Sequence, residues 1–239
     1  MKKILSVVIA VTLLGTAFGQ KKKDWSKVNI DRAGDHFMVQ ISSDNWGGAP
    51  DSIKSRMSGL SRGLNVAIML NKPFKSDPRW SVALGLGVSH SSIFFKNTSV
   101  DLKSASTRLP FRSLDSTEHF KKYKLATTYA EVPIELRYTF DPVNENKSWK
   151  IALGVKVGTM LNAHTKGKTL QNKSNTTINP YTEKISKKSF FNGTRLAATA
   201  RVGIGSFSLV GSYAITALIK DVAGPGVRPY QIGLCISGL

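Results

Sequence analysis

Eight separated stretches of about ten residues alternate apolar side chains with small or polar ones, and this period of two constrains the chain more than any other feature. The clearest sets Val132, Ile134, Leu136, Tyr138 and Phe140 on one face and Glu131, Pro133, Glu135, Arg137 and Thr139 on the other. The next sets Trp149, Ile151, Leu153, Val155 and Val157 against Lys150, Ala152, Gly154, Lys156 and Gly158. Upstream, Trp80, Val82, Leu84, Leu86 and Val88 oppose Ser81, Ala83, Gly85, Gly87 and Ser89. Downstream, Leu196, Ala198, Ala200, Val202 and Ile204 oppose Arg195, Thr199, Arg201, Gly203 and Gly205. Fainter runs carry Phe37, Val39 and Ile41; Leu64, Val66, Ile68 and Leu70; Phe207, Leu209, Tyr213 and Ile215; and Tyr230, Ile232, Leu234 and Ile236. No helical stripe of useful length interrupts them, so the pattern predicts an all-β, eight-stranded antiparallel barrel.

Period two does not say whether the apolar face meets lipid or a protein core, which leaves a soluble lipocalin-like barrel as the alternative. The opposite face decides. It is rich in Gly, Ala and Ser, punctuated by Glu131, Glu135, Arg137, Lys156, Arg195 and Arg201. Water-facing surfaces favour long charged side chains over glycine, whereas a narrow eight-stranded lumen has room only for small residues and a few paired charges. The apolar face is therefore expected to meet lipid. The six charged residues are expected to form a structural lumen network rather than a proton or substrate relay, since an unpaired charge there would be expensive.

The connections point the same way. Short links, Asn71–Arg79, Asp141–Ser148 and Gly205–Ser206, alternate with long ones, Asp44–Leu60, Lys96–Lys122 and Lys168–Ser189. Membrane barrels pair short periplasmic turns with long extracellular loops, and an even strand count places both termini in the periplasm. Aromatic residues gather at both strand ends: Trp80, Tyr138, Phe140, Trp149 and Phe207 at the short-turn end, and Trp46, Phe94, Phe95, Phe190 and Phe191 at the other. Two interfacial girdles are expected from them.

Lys2 and Lys3, the apolar run Ile4–Leu14 and the small residues Gly15, Thr16, Ala17 and Gly19 read as a secretory signal with cleavage after Gly19. The expected organisation is a signal peptide over 1–19, an N-terminal periplasmic segment over 20–34 and an outer-membrane barrel over 35–239. Cys235 is the only cysteine, so no intramolecular disulfide can form and the thiol is expected to be a small buried side chain. The formal charge of +19, from 34 basic and 15 acidic residues, becomes +17 when Lys2 and Lys3 leave with the signal. Such an excess favours anionic partners. Export argues against nucleic acid and leaves two readings of the charge: outer-membrane lipids, with phosphorylated glycolipid head groups as the natural counter-charge, or solvated loops that happen to be basic.

The signal peptide, Asp44-Asn45-Trp46, Ser61-Arg62-Gly63-Leu64-Asn65-Val66, Leu84-Gly85-Leu86-Gly87-Val88 and the run Tyr129-Ala130-Glu131-Val132-Pro133-Ile134-Glu135-Leu136-Arg137-Tyr138 resemble the PorT-like outer-membrane β-barrels of Bacteroidetes. The resemblance covers nearly all of the mature chain. It implies an eight-stranded outer-membrane barrel, and one branch of that family is associated with type IX secretion machinery, so envelope or secretion-machinery proteins are implied partners.

Catalytic chemistry leaves little trace. His36, His90, His119 and His164 lack metal-ligand spacing, and Gly85-Leu86-Gly87 and Gly203-Ile204-Gly205 do not extend to a phosphate-binding fingerprint, so no metal, cofactor or catalytic residue is expected. His90, flanked by Ser89, Ser91 and Ser92 near a strand end, is the one enzymatic alternative, a surface lipid hydrolase. The functions rank as a non-enzymatic surface or assembly barrel acting through its basic loops, then a small-solute channel, then the hydrolase.

Overall fold

A computed structural model describes residues 37–59 and 61–238. The expected signal peptide, the periplasmic segment and His36 lie outside the described residues. The strands are β1 (Phe37–Gly47), β2 (Arg62–Pro73), β3 (Trp80–Phe95), β4 (Thr98–Val100), β5 (Phe111–Ser113), β6 (His119–Thr139), β7 (Trp149–Gln171), β8 (Thr177–Ser186), β9 (Thr194–Ile204), β10 (Phe207–Ala214) and β11 (Arg228–Ser237). Eight of them pair antiparallel in the order β6-β3-β2-β1-β11-β10-β9-β7, and β6 pairs with β7 to close the ring. These are the eight runs read from the sequence. Each is held to its neighbour by register: Leu84 stands opposite Ile134, and Ile134 opposite Val155.

Alternation sorts the side chains inside out relative to a water-soluble protein. Leu86 is 71% exposed, Phe207 69% and Leu234 68%, while Glu135 and Lys156 are each 3% exposed. Only a lipid solvent makes that distribution stable, because apolar side chains at such density would not be left facing water and charges would not be left facing oil. The lumen is cramped. A Cβ at Gly154 would lie 2.3 Å from the carbonyl oxygen of Ile134 on the adjoining strand, so this inward position tolerates no side chain. The two-residue hairpin between β9 and β10 is equally demanding: Gly205 has φ +58°, and a Cβ there would come within 2.5 Å of the Asn146 carbonyl oxygen.

Three features differ from the sequence reading. The first strand does not stop before Asp44 but runs to Gly47, keeping its alternation and turning Asp44 and Trp46 inward. The third long loop is largely sheet, and the second holds the short β4–β5 pair and the first residues of β6. β6 has 21 residues and β7 23, against the roughly 9–11 that a tilted strand needs to cross a bilayer. Their outer halves, with β8 paired onto β7, stand beyond the membrane as a three-stranded blade. Leu161 is the extra residue in the β7 bulge opposite Thr128 and Tyr129, where the strands leave the lipid belt.

The expected outer aromatic girdle is also corrected. Trp46, Phe95, Phe190 and Phe191 are buried in an apolar cluster with Ile53, Leu102, Leu109, Leu125, Tyr129, Leu218 and Ile219. Trp46 meets Phe95 edge-on with centroids 5.6 Å apart and Phe111 at 6.5 Å. Loops above the membrane are in water, so the hydrophobic effect drives these rings together into a cap over the barrel mouth. Of the five expected there, Phe94 alone lies on the outward side, and Tyr213 and Tyr230 join it. At the short-turn end Trp80, Phe140, Trp149 and Phe207 do point outward, and Trp80 packs edge-on against Tyr138 at 4.9 Å.

Candidate functional site

All six charged residues expected in the lumen face inward, and the structure divides them into two groups. In the lower group, Glu135 accepts hydrogen bonds from Arg137 Nε at 2.9 Å and Arg201 Nη2 at 3.0 Å, and Arg201 also donates to Ser237 Oγ at 3.0 Å. In the upper group, Arg195 pairs with Glu131 at 2.6 Å and lies 4.8 Å over the Tyr129 ring. Lys156 has no carboxylate partner among the described residues; its Nζ donates to Gln40 Oε1 at 3.2 Å. Amides and hydroxyls bridge from there: Asn65 donates to Gln40 and Gln231, and Ser89 donates to Asn65.

Asp44 is the member that the sequence reading missed. It is 1% exposed and accepts hydrogen bonds from Ser42, Ser91 and Gln231. The signal was available: carrying the alternation on through Met38, Gln40, Ser42, Asp44 and Trp46 puts it on the lumen face. Side chains close the lumen. Between Asn71, Ser81, Arg137 and Arg201 at the lower mouth a cavity of about 20 Å³ remains, room for about one water.

Outside the ring the register stacks polar residues in rows above the lipid belt. Val66, Val88 and Ala130 align in the last apolar row. Leu64, His90, Thr128 and Asn162 align next, then Arg62, Ser92, Ala126 and His164. Above these, Phe94, Lys124, Lys166 and Lys184 lie directly opposite one another across β3, β6, β7 and β8. The Lys124 ammonium sits 5.7 Å from the centre of the Phe94 ring and donates to Ser92 Oγ at 3.0 Å. Burial, followed by the neighbouring Lys166, Arg62 and Lys184 charges, holds the Lys124 ammonium below the usual lysine range. His164 is pushed down to about 4 by burial and by Lys184 and Lys124.

His90, the sequence's one candidate for catalysis, contacts Thr128 Oγ1 at 3.0 Å and Ser92 Oγ at 3.1 Å. Both ring nitrogens meet hydroxyls, so no carboxylate orients the imidazole as a hydrolytic base requires. His119 contacts Asn175 at 3.1 Å in the blade. Among the described residues no cluster of three His, Cys, Asp or Glu side chains could hold a metal ion. Cys235 is fully buried on the lumen face.

The crystal structure of Ail, the attachment invasion locus protein of Yersinia pestis, is similar at 15% identity and a TM-score of 0.35, over 84% of this chain and 96% of that one. Ail in complex with the heparin analogue sucrose octasulfate gives 14% and 0.34 over 84% and 96%. Its backbone structure in a phospholipid bilayer nanodisc gives 16% and 0.30 over 84% and 98%. No curated protein matches the chain. The family model described as outer membrane protein beta-barrel domain matches residues 32–220. The chain belongs to that outer-membrane β-barrel family.

Proposed function

We propose that this protein is a PorT-like, non-enzymatic outer-membrane barrel of the Bacteroidetes type that binds an envelope partner through its basic extracellular end, with a link to type IX secretion. In this reading the signal peptide is removed and both termini lie in the periplasm. The observation that carries it is the cap: an ordered apolar core roofs a side-chain-filled lumen and displays Lys103, Arg108, Lys187 and Lys188 on exposed loops, with Lys173 at the tip of the blade beside it. A filled lumen argues for a platform and against a channel. A packed roof holds its surface charges in fixed relation to one another, which lowers the ordering cost of capturing a partner. The lumen ion pairs serve the wall's stability in this reading, not transport.

Deleting whole loops would uncover the cap core, because Leu102 and Leu109 belong to it. Charge reversal is the cleaner test. Lys103→Glu, Arg108→Glu, Lys173→Glu and Lys187→Glu together should leave a folded barrel that no longer co-purifies envelope proteins from solubilised outer membrane. Undiminished capture would contradict loop-mediated binding, and steady single-channel conductance in planar bilayers would contradict the closed platform.

A further inference from the structure

The outward surface changes character across two intervening rows, from Val66 and Val88 that face lipid to the lysine row that stands above it. Like charges directly opposite on adjacent strands destabilise a sheet. Lys124, Lys166 and Lys184 occupy such positions with no ion-pair partner among the described residues. Glu183, the one carboxylate in β8, stands opposite Gly167 and belongs to the other face of the blade. A row of this kind builds a positive potential that attracts anions.

The groove beside it says what else the anion carries. A cavity of about 740 Å³ opens between β1, β2, β3 and β6, with Lys96, Lys121 and Lys124 above, Phe94 and Arg62 at mid-height, and Ile41 and Leu64 below. Ile41 and Leu64 are 66% and 47% exposed and continue directly into the lipid belt. Cations above an apolar floor that merges with the bilayer fit an amphiphile lying along the wall, not a free anion. We propose that this wall of β3, β6, β7 and β8 binds the phosphorylated headgroup of an outer-leaflet glycolipid, with its acyl chains laid over Ile41 and Leu64. The assignment rests on the orientation given above, with the blade outside the cell, and not on partner capture by the loop tips.

The test uses the protein refolded in uncharged detergent and titrated with bisphosphorylated lipid A, its dephosphorylated counterpart and inorganic phosphate, with bound lipid counted by native mass spectrometry. K124Q/K166Q/K184Q should weaken binding of the bisphosphorylated lipid roughly a hundredfold, taking about fivefold for each lysine at a charged lipid surface. K124Q alone should weaken it about fivefold, and K75Q/K147Q at the short-turn end should leave it unchanged. The dephosphorylated lipid should bind wild type and variant equally weakly. Equal binding by the triple variant, or displacement of the lipid by an equal concentration of inorganic phosphate, would overturn the site. Labelling of K173C on intact cells by an impermeant maleimide tests the orientation separately. Labelling only after the outer membrane is opened would overturn the leaflet assignment while leaving the binding measurement intact.

Discussion

Glu135 anchors the lower lumen because two guanidinium groups, those of Arg137 and Arg201, converge on one of its oxygens. Glu135→Leu would remove a buried partner and cost about 3–5 kcal/mol, read as a lower urea midpoint for the barrel in lipid vesicles. Lys156→Met is the contrasting case. It removes a buried charge whose one hydrogen bond is to an amide and which has no carboxylate in direct contact, and it should change that midpoint by under about 1 kcal/mol. Titration separates two further residues outside the membrane. The folded His164 takes its proton near pH 4 while the unfolded residue takes it near 6.5, so stability is full above 6.5 and falls as pH drops towards 4. His164→Gln should flatten the unfolding curve in that window. Asp115, held down to about 2 by its hydrogen bond from Arg56, contributes stability above 3.8 that is lost as pH falls through 2. The six lumen charges were legible because each sits in an unbroken alternation. Asp44 carries the same alternation but is masked by its Asp-Asn pair, which reads locally as the start of a turn; the pairing of Asp44 to Gly47 with Gln231 to Arg228 on β11 keeps the strand going.

The strands themselves follow from period two, and so does their sense, since the glycine-rich face must be the crowded one. Gly154→Val tests this directly: the added side chain would strike the Ile134 carbonyl, and the variant should fail to show the heat-dependent gel migration of a closed barrel. The outer halves of β6 and β7 were not legible. Above the bulge the alternation continues, but lysine, threonine and histidine replace valine and leucine on the outward face, so the sequence looks like a polar loop. The cap was equally hidden. Its buried aromatics come from β1, β3, β6 and the segment before β9, and nothing local distinguishes a ring that faces lipid from one that folds back over the mouth. Trp46→Ala should cost about 3–5 kcal/mol, as in a water-exposed domain's core, whereas truncating a lipid-facing ring such as Phe207 should cost far less.

At the scale of the molecule, two solvents meet one wall. The lower part of the ring is apolar outside and ionic inside, and the upper part is basic outside and apolar inside, with the change occurring at the Val88 to Phe94 level of β3. That reversal places the barrel in the membrane and leaves the blade and cap above it. Leu86→Arg, in the middle of the lipid face, should destabilise the barrel by about 2–4 kcal/mol, while Val222→Arg on an exposed outer loop should be neutral. The most direct measurement is a spin-label scan of β3 in lipid vesicles, with single cysteines at Ser81, Val82, Leu84, Leu86, Val88 and Ser89, the buried Cys235 staying unlabelled. Labels at Val82, Leu84, Leu86 and Val88 should collide with oxygen dissolved in the bilayer and not with a water-soluble nickel complex, and labels at Ser81 and Ser89 should collide with neither. Oxygen access at Ser81 and Ser89, with nickel access at Leu84 and Leu86, would contradict the orientation of the wall.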